Sequence, residues 1–261
     1  MNEINPKCII LAGSAGAGKT TIIKDFVETH NLKIINVDDW YKQFLIEEGI
    51  SLDLKNVLKN DIEKRSLVPK IMSRATKEFN KAYKHAIENK QNIVLDRTSS
   101  SYKETLKFKQ ELESSGYKVL MVYVFISLKT ALERNENRYE ISGGTDRSIL
   151  PFLILKTWQS ITENFFRYKE LFEDNFIAVT NETNLIHKES YDELNKKHIQ
   201  PYLPENTKRK TPKQLEDVEK IKQSLRNEIG KYLSPDEINK IQENLSSLTQ
   251  VKQKIHQLLE L

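Results

Sequence analysis

The chain has one cysteine, Cys8, among 261 residues, so no disulfide framework can form within it. Cys8 lies in an apolar run and reads as a small core residue. An excess of one charge is lacking as well. Lys and Arg number 41 against 37 Asp and Glu, and the resulting +4 is too small to argue for nucleic acid by itself. Long hydrophobic runs are absent. The longest, residues 119–126, falls far short of the roughly 20 residues needed to span a bilayer. The amino terminus, MNEINPK, has neither the basic start nor the apolar stretch of a signal peptide. These absences predict a soluble, cytoplasmic protein without membrane association.

Glycine is scarce, at eight residues, yet three of them crowd into one stretch. Residues 13–20 read GSAGAGKT and satisfy G-x-x-x-x-G-K-[ST] at every specified position. Upstream, Cys8, Ile9, Ile10, Leu11 and Ala12 predict a strand buried on both faces, and downstream Ile22, Ile23, Phe26 and Val27 recur at helical spacing. Gly13, Gly16 and Gly18 allow the backbone N–H groups to close on phosphate oxygens, and the positive end of the next helix adds to the attraction. Ser14, Ala15, Ala17 and Thr21 belong to the same cradle. Lys19 is expected to reach the β- and γ-phosphates, and Thr20 to set its hydroxyl on Mg²⁺. An ATP or GTP site is the starting expectation. No N/T-K-x-D guanine signature follows the fourth predicted strand, which favours ATP.

Strand and helix patterns then alternate. Further strands are predicted at residues 33–37, closed by Asp38 and Asp39, and at 92–96, 119–126 and 176–179, with the third of these central. Between them the pattern predicts a short helix stopped by Gly49, a weak polar stretch at 51–65, and an amphipathic helix at 69–89 with Pro69 in its first turn. Thr98 and the serines after it are expected to cap the next helix. A helix at 128–138 leads into a polar loop at 139–150, and Pro151 opens a helix with Phe152, Leu155, Trp158, Ile161, Phe165 and Phe166 inward. This is an α/β pattern, a P-loop NTPase fold with a mostly parallel sheet of about five strands flanked by helices.

Residues 1–200, ending in a short helix at 189–199, form that domain. A linker at 201–211 carries the basic run Lys208, Arg209 and Lys210, which reads as solvated surface. Residues 212–261 predict a helical hairpin. Thr211 with Gln214 and Ser234 with Glu237 fit the capping box, and one apolar stripe runs along each helix, the second from Ile238 to Leu258. Such stripes need cover from each other, from the core, from a second copy of the chain or from a protein partner.

Transfer of a phosphoryl group to a hydroxyl needs a carboxylate to take the proton, and Asp39 or Asp38 is placed for it at the end of the second strand. Helix capping by the same pair is the structural alternative. Asp96 is suited to a Mg²⁺-bound water, to the acceptor, or to capping. Arg134, Arg138 and Arg147 flank the glycine-containing loop, where a lid would bring positive charge to the transferring group. Arg134 and Arg138 also fit surface ion pairs with Glu133 and Glu136.

With those residues in view, the chain resembles the zeta-toxin-like and polynucleotide-kinase-like P-loop phosphotransferases over residues 7–181. GSAGAGKT is the shared loop, and INVDDWYKQ is similar to the family segment carrying the catalytic aspartate, here Asp39. Lys42 stands where polynucleotide kinases have an acceptor-contacting arginine. IVLDRT resembles the strand segment with an acid and a threonine, here Asp96 and Thr98. ALERNENRY resembles the lid helix with its paired arginines, and TDRSILP is similar to the zeta-toxin arrangement of an arginine shortly before a proline.

The resemblance implies an ATP- and Mg²⁺-dependent kinase. Asp39, Lys19, Arg138, Arg147 and Arg134 would be catalytic, Thr20 and Asp96 would hold the metal, and Asp38, Asp39, Lys42 and Thr98 would meet the substrate. The acceptor implied is a small molecule or sugar-nucleotide. A nucleic-acid 5′-hydroxyl end, a small nucleoside or nucleotide, and a nucleotide-dependent binding module acting through the C-terminal helices are the rivals. Lys42 replaces a bidentate arginine with a point charge, which weighs against the polynucleotide acceptor.

Overall fold

The computed structural model describes residues 5–182 and 235–260. The expected helix at 189–199, the linker at 201–211, the first hairpin helix and the residues Thr211, Gln214 and Ser234 of the capping boxes lie outside the described residues.

Five parallel strands, β1 (Lys7–Ala12), β2 (Lys33–Ile35), β3 (Ile93–Leu95), β4 (Lys118–Phe125) and β5 (Phe176–Thr180), form one sheet in the order β2-β3-β1-β4-β5. All of β1 and β3 is buried, as the unbroken apolar runs require of strands covered on both faces. β4, the most apolar, is interior but not central, since β1 takes the middle. The chain reverses direction across the sheet between β3 and β1, and a crevice opens there at the carboxyl ends of the strands.

β2 is shorter than its apolar run suggested. Asn36 ends it, and its side chain accepts from the Asp38 N–H at 2.9 Å, capping α2 (Val37–Glu47). Asp38 and Asp39 therefore stand in a first helical turn instead of closing a strand. The expected polar stretch is mostly helical: α3 (Leu54–Asn60) and the start of α4 (Ile62–Glu88), each capped by an aspartate, Asp53 and Asp61. Pro69 thus lies inside α4 and not at its first turn. Tertiary burial overrides the weak local signal here. Tyr41, Phe44, Leu45, Leu54, Val57, Ile71 and Ala75 form a second core separate from the one on the sheet.

α5 (Tyr102–Ser114) is capped by Ser101, one of the serines expected to do so, while Thr98 stands further upstream. The expected lid helix divides into α6 (Leu128–Glu136) and α7 (Arg138–Ile141), so residues 139–141 are helical and not loop. α8 (Pro151–Phe172) begins with its proline at the first turn and buries Leu155, Trp158, Ile161, Phe165 and Tyr168, each of which stabilises by about 1.5–3 kcal/mol. Phe166, expected inward, is exposed. Tyr168 donates to the Ser99 carbonyl at 2.6 Å and Asn164 to that of Ser100 at 3.0 Å. Ser99 in turn donates to the Leu11 carbonyl at 2.8 Å, which moors the loop after β3 beside β1.

The apolar stripe expected on one last helix is carried by two, α9 (Pro235–Gln242) and α10 (Leu248–Glu260). Residues 243–247 turn between them, and Ser246 adds a parallel bridge to Val179 beyond β5. Ile241, Val251, Ile255 and Leu258 join the main core. Lys252 pairs with Asp25 of α1 (Lys19–Thr29) at 3.0 Å, and His256 meets Phe26 and His30 edge-on. The described stripe is therefore covered by the sheet domain itself.

Candidate functional site

β1 delivers residues 13–18 to the crevice, and α1 begins at Lys19. Gly16 and Gly18 both adopt positive φ, 78° and 77°. A Cβ at Gly16 would stand 2.6 Å from the Asn135 side chain, and one at Gly18 would collide with Asn181. Glycine is required at both for conformation and for space. No acidic residue occupies the first turn of α1, so the positive end of that helix is left to an anion. Lys19 reaches back to the carbonyls of Gly13 and Ser14 at 3.1 and 3.2 Å. Burial draws its pKa below the usual lysine value, against the opposing pull of Asp96 and Asp38. The Ser14 hydroxyl is buried without a hydrogen-bond partner among the described residues. A glycine-rich turn at a helix N-terminus, an orphaned hydroxyl and a half-buried lysine make an arrangement that phosphate oxygens complete.

Asp96, at the end of β3, accepts from the Thr20 hydroxyl at 3.0 Å and from Asn36 at 3.2 Å. Thr20 and Asp96 supply adjacent hard oxygens suited to Mg²⁺, which keeps much of its coordination for water and phosphate. Among the described residues no group of three or more His, Cys, Asp or Glu is gathered to hold a metal. This two-residue set fits the ion only in company with nucleotide oxygens.

The opposite wall is built from the start of α2, from α7 and from the loop before α8. Arg147 donates to both carboxylate oxygens of Asp38, at 2.9 and 3.0 Å, and its guanidinium lies over Tyr41. Arg138 holds Asp146 at 2.5 Å, and Lys42 stands 3.7 Å from the same carboxylate. Burial works to raise the Asp146 pKa, but Arg138, the Arg147 N–H and Lys42 outweigh it and hold the carboxyl below its ordinary value. Asp39 has the reverse balance. Burial raises its pKa, with the negative charges of Asp38, Asp96 and Asp146 adding to the rise and Lys42 opposing it. Loop, acids and arginines together line a cleft of about 1140 Å³.

A sequence model of the zeta toxin family matches residues 1–192, most of the chain. The chain belongs to the zeta toxin family. It is accordingly a P-loop phosphotransferase of the kinase type, with a nucleotide as donor. No curated protein sequence matches it. Among solved structures it is similar to one from the PezAT chromosomal toxin-antitoxin system of Streptococcus pneumoniae, at 18% identity and a TM-score of 0.49, covering 87% of this chain and 88% of that one. It is also similar to a chain of the Pnkp1/Rnl/Hen1 RNA repair complex, at 21% identity and a TM-score of 0.47, covering 64% and 48%. A gluconokinase from Sinorhizobium meliloti follows at 14% identity and a TM-score of 0.39, covering 69% and 85%.

In this zeta toxin family member most of the residues singled out from sequence come to one cleft: Lys19, Thr20, Asp38, Asp39, Lys42, Asp96, Arg138 and Arg147, with Ala15, Thr21 and Thr98 at its walls. Arg134 does not line it. Its guanidinium donates to the carbonyls of Gly16 at 3.0 Å and Asn181 at 2.7 Å, and Asn181 donates to that of Ala17 at 3.0 Å. Arg134 therefore steadies the outer carbonyls of the phosphate loop. Ala17 is fully buried and offers the cleft no side chain. Asn36, Asp146 and Asn181 were missed in the sequence. Asn36 had a legible signal, an Asx residue directly before two acids and a helical pattern. Asn181 had none, because its partners Arg134 and Ala17 lie 47 and 164 residues away.

Proposed function

We propose that this chain transfers the γ-phosphoryl group of ATP to a hydroxyl of a sugar-nucleotide, with Asp39 as the base. The observation that carries this reading is the division of the acidic pair: both line the cleft, but Asp38 is paired with Arg147, whereas Asp39 has a raised pKa. A carboxylate made more basic by its surroundings is a better proton acceptor at neutral pH.

Asp39 takes the proton of the acceptor hydroxyl as that oxygen bonds to the γ-phosphorus. The bond from phosphorus to the bridging oxygen breaks, and ADP departs with that electron pair. Lys19, Arg138 and Arg147 meet the charge that spreads over the moving group. Thr20 and Asp96 would hold Mg²⁺ together with the nucleotide, and the ion would supply neutralisation of phosphate charge. The cleft also suits two substrates. It exceeds the roughly 300–1,000 Å³ of a single small-ligand pocket, and beyond Asp39 it continues past Met72, Thr76 and Asn80 of α4.

The test is transfer from γ-labelled ATP to a panel of uridine-diphosphate sugars and to a 5′-hydroxyl oligonucleotide, with Asp39→Asn as control. Label on a nucleotide-sugar, lost in Asp39→Asn while ATP still binds, is the expected result. Label on the oligonucleotide alone would replace the acceptor, and full activity in Asp39→Asn would remove the base.

A further inference from the structure

Lys55 is a buried cation that the mechanism above does not use. It sits in the first turn of α3, and its ammonium donates to the carbonyls of Asn135 at 3.2 Å and Glu136 at 2.6 Å. Those carbonyls close the last turn of α6, where backbone acceptors have no partner within the helix and a positive charge is favoured. Arg138 follows directly, and its guanidinium also touches the Asn135 side chain at 3.3 Å.

The same short segment holds the other arginine. The Lys55 N–H donates to the Ser148 hydroxyl at 2.9 Å, that hydroxyl donates to Asp53 at 3.0 Å, and the Ser148 N–H donates to the Leu52 carbonyl at 2.9 Å. Ser148 is the residue after Arg147. Residues 52–55 thus clasp both ends of the span that carries Arg138 and Arg147. Burial lowers the Lys55 pKa, while Glu140, Glu136 and Asp53 favour the charged form.

We propose that Lys55 is a positioning residue: by tying the end of α6 to α3 it sets where Arg138 and Arg147 stand over the transferring phosphate. The inference rests on the reading of those arginines given above. A shift of about 1 Å in such a group costs on the order of a hundredfold in rate, so a tether this direct has kinetic leverage.

Lys55→Met keeps the length of the side chain and removes its donors. In the full chain it is expected to lower kcat for phosphoryl transfer about tenfold to a hundredfold, to leave KM for ATP nearly unchanged, and to speed amide hydrogen exchange across residues 136–148. Lys55→Arg should restore part of both. In an Arg138→Met background, Lys55→Met should add less than it costs the parent chain, since one of the two groups it positions is already gone. Additive losses in the double variant, or unchanged exchange at 136–148, would overturn the proposal. Faster exchange in Lys55→Met, with a wild-type chain that transfers phosphate to none of the acceptors, would support the tether and sink the assigned reaction instead.

Discussion

The two walls of the cleft are built in opposite ways. On one, residues 13–20 form a single contiguous piece, shaped by its own glycines and by the start of α1, and its lysine bonds within that piece. On the other, α2, α7 and the loop before α8 meet through ion pairs that reach far along the chain, Arg147 to Asp38 above all. A contiguous wall has its geometry set by backbone conformation and is in place once the strand and helix form. An assembled wall depends on tertiary contacts and on charge, so single substitutions should loosen it in graded steps.

The largest effect is expected at the contiguous wall. Lys19→Ala should lower transfer about a thousandfold and remove nucleotide uptake in calorimetry. Retained tight binding would show that the loop is not where the phosphates lie. On the assembled wall Arg147→Met should lower kcat by about 10² to 10³ with ATP binding largely kept. Asp38→Asn, which frees Arg147 without removing it, should cost only about tenfold in steady-state transfer, since it perturbs placement and leaves the charge. If Asp38→Asn proves as damaging as Asp39→Asn, the division of roles between the two acids is wrong.

A smaller effect separates the acids by pH. Asp39 has a raised pKa in the folded chain, so its ionised form is penalised there. Its contribution to stability is fully present below the unfolded-state pKa, and stability falls as pH rises through the interval up to the folded value. Asp39→Asn should therefore melt slightly higher than the parent at pH 7, with the difference vanishing in acid. The acid limb of kcat in the parent chain should be displaced upward from the ordinary aspartate value. The smallest effect on transfer is expected far from both walls. Ile255→Ala in α10 should cost about 2–4 kcal/mol of stability by denaturant titration, with kcat per folded molecule unchanged. A loss of kcat there would mean that the C-terminal helices reach the site.

Legibility in the sequence followed the same division. The phosphate loop, β1, α1 and the Pro151 start of α8 could be read directly, because each depends on neighbouring residues and on a fixed spacing. Asp39, Asp96, Arg138 and Arg147 were expected at the cleft and line it, whereas Arg134, expected over the phosphates, lies outside its lining. Its neighbours in sequence are acids, and nothing local points to the carbonyls of Gly16 and Asn181 that it holds. α3 was missed because its face is covered by a second core made of α2 and α4, a partner that periodicity within residues 51–65 cannot reveal.

The order of residues by itself determined that anionic oxygens have a cradle between Gly13 and Thr20 and that strands alternate with helices around it. These depend on torsions, caps and apolar spacing, all of which act over a few residues. Only the folded chain decided which of two adjacent aspartates is bound to an arginine, and that Lys55 clasps the span carrying two arginines. Charge pairing and burial are properties of what comes near in space, and neighbours in space are chosen by the whole sheet and its helices together.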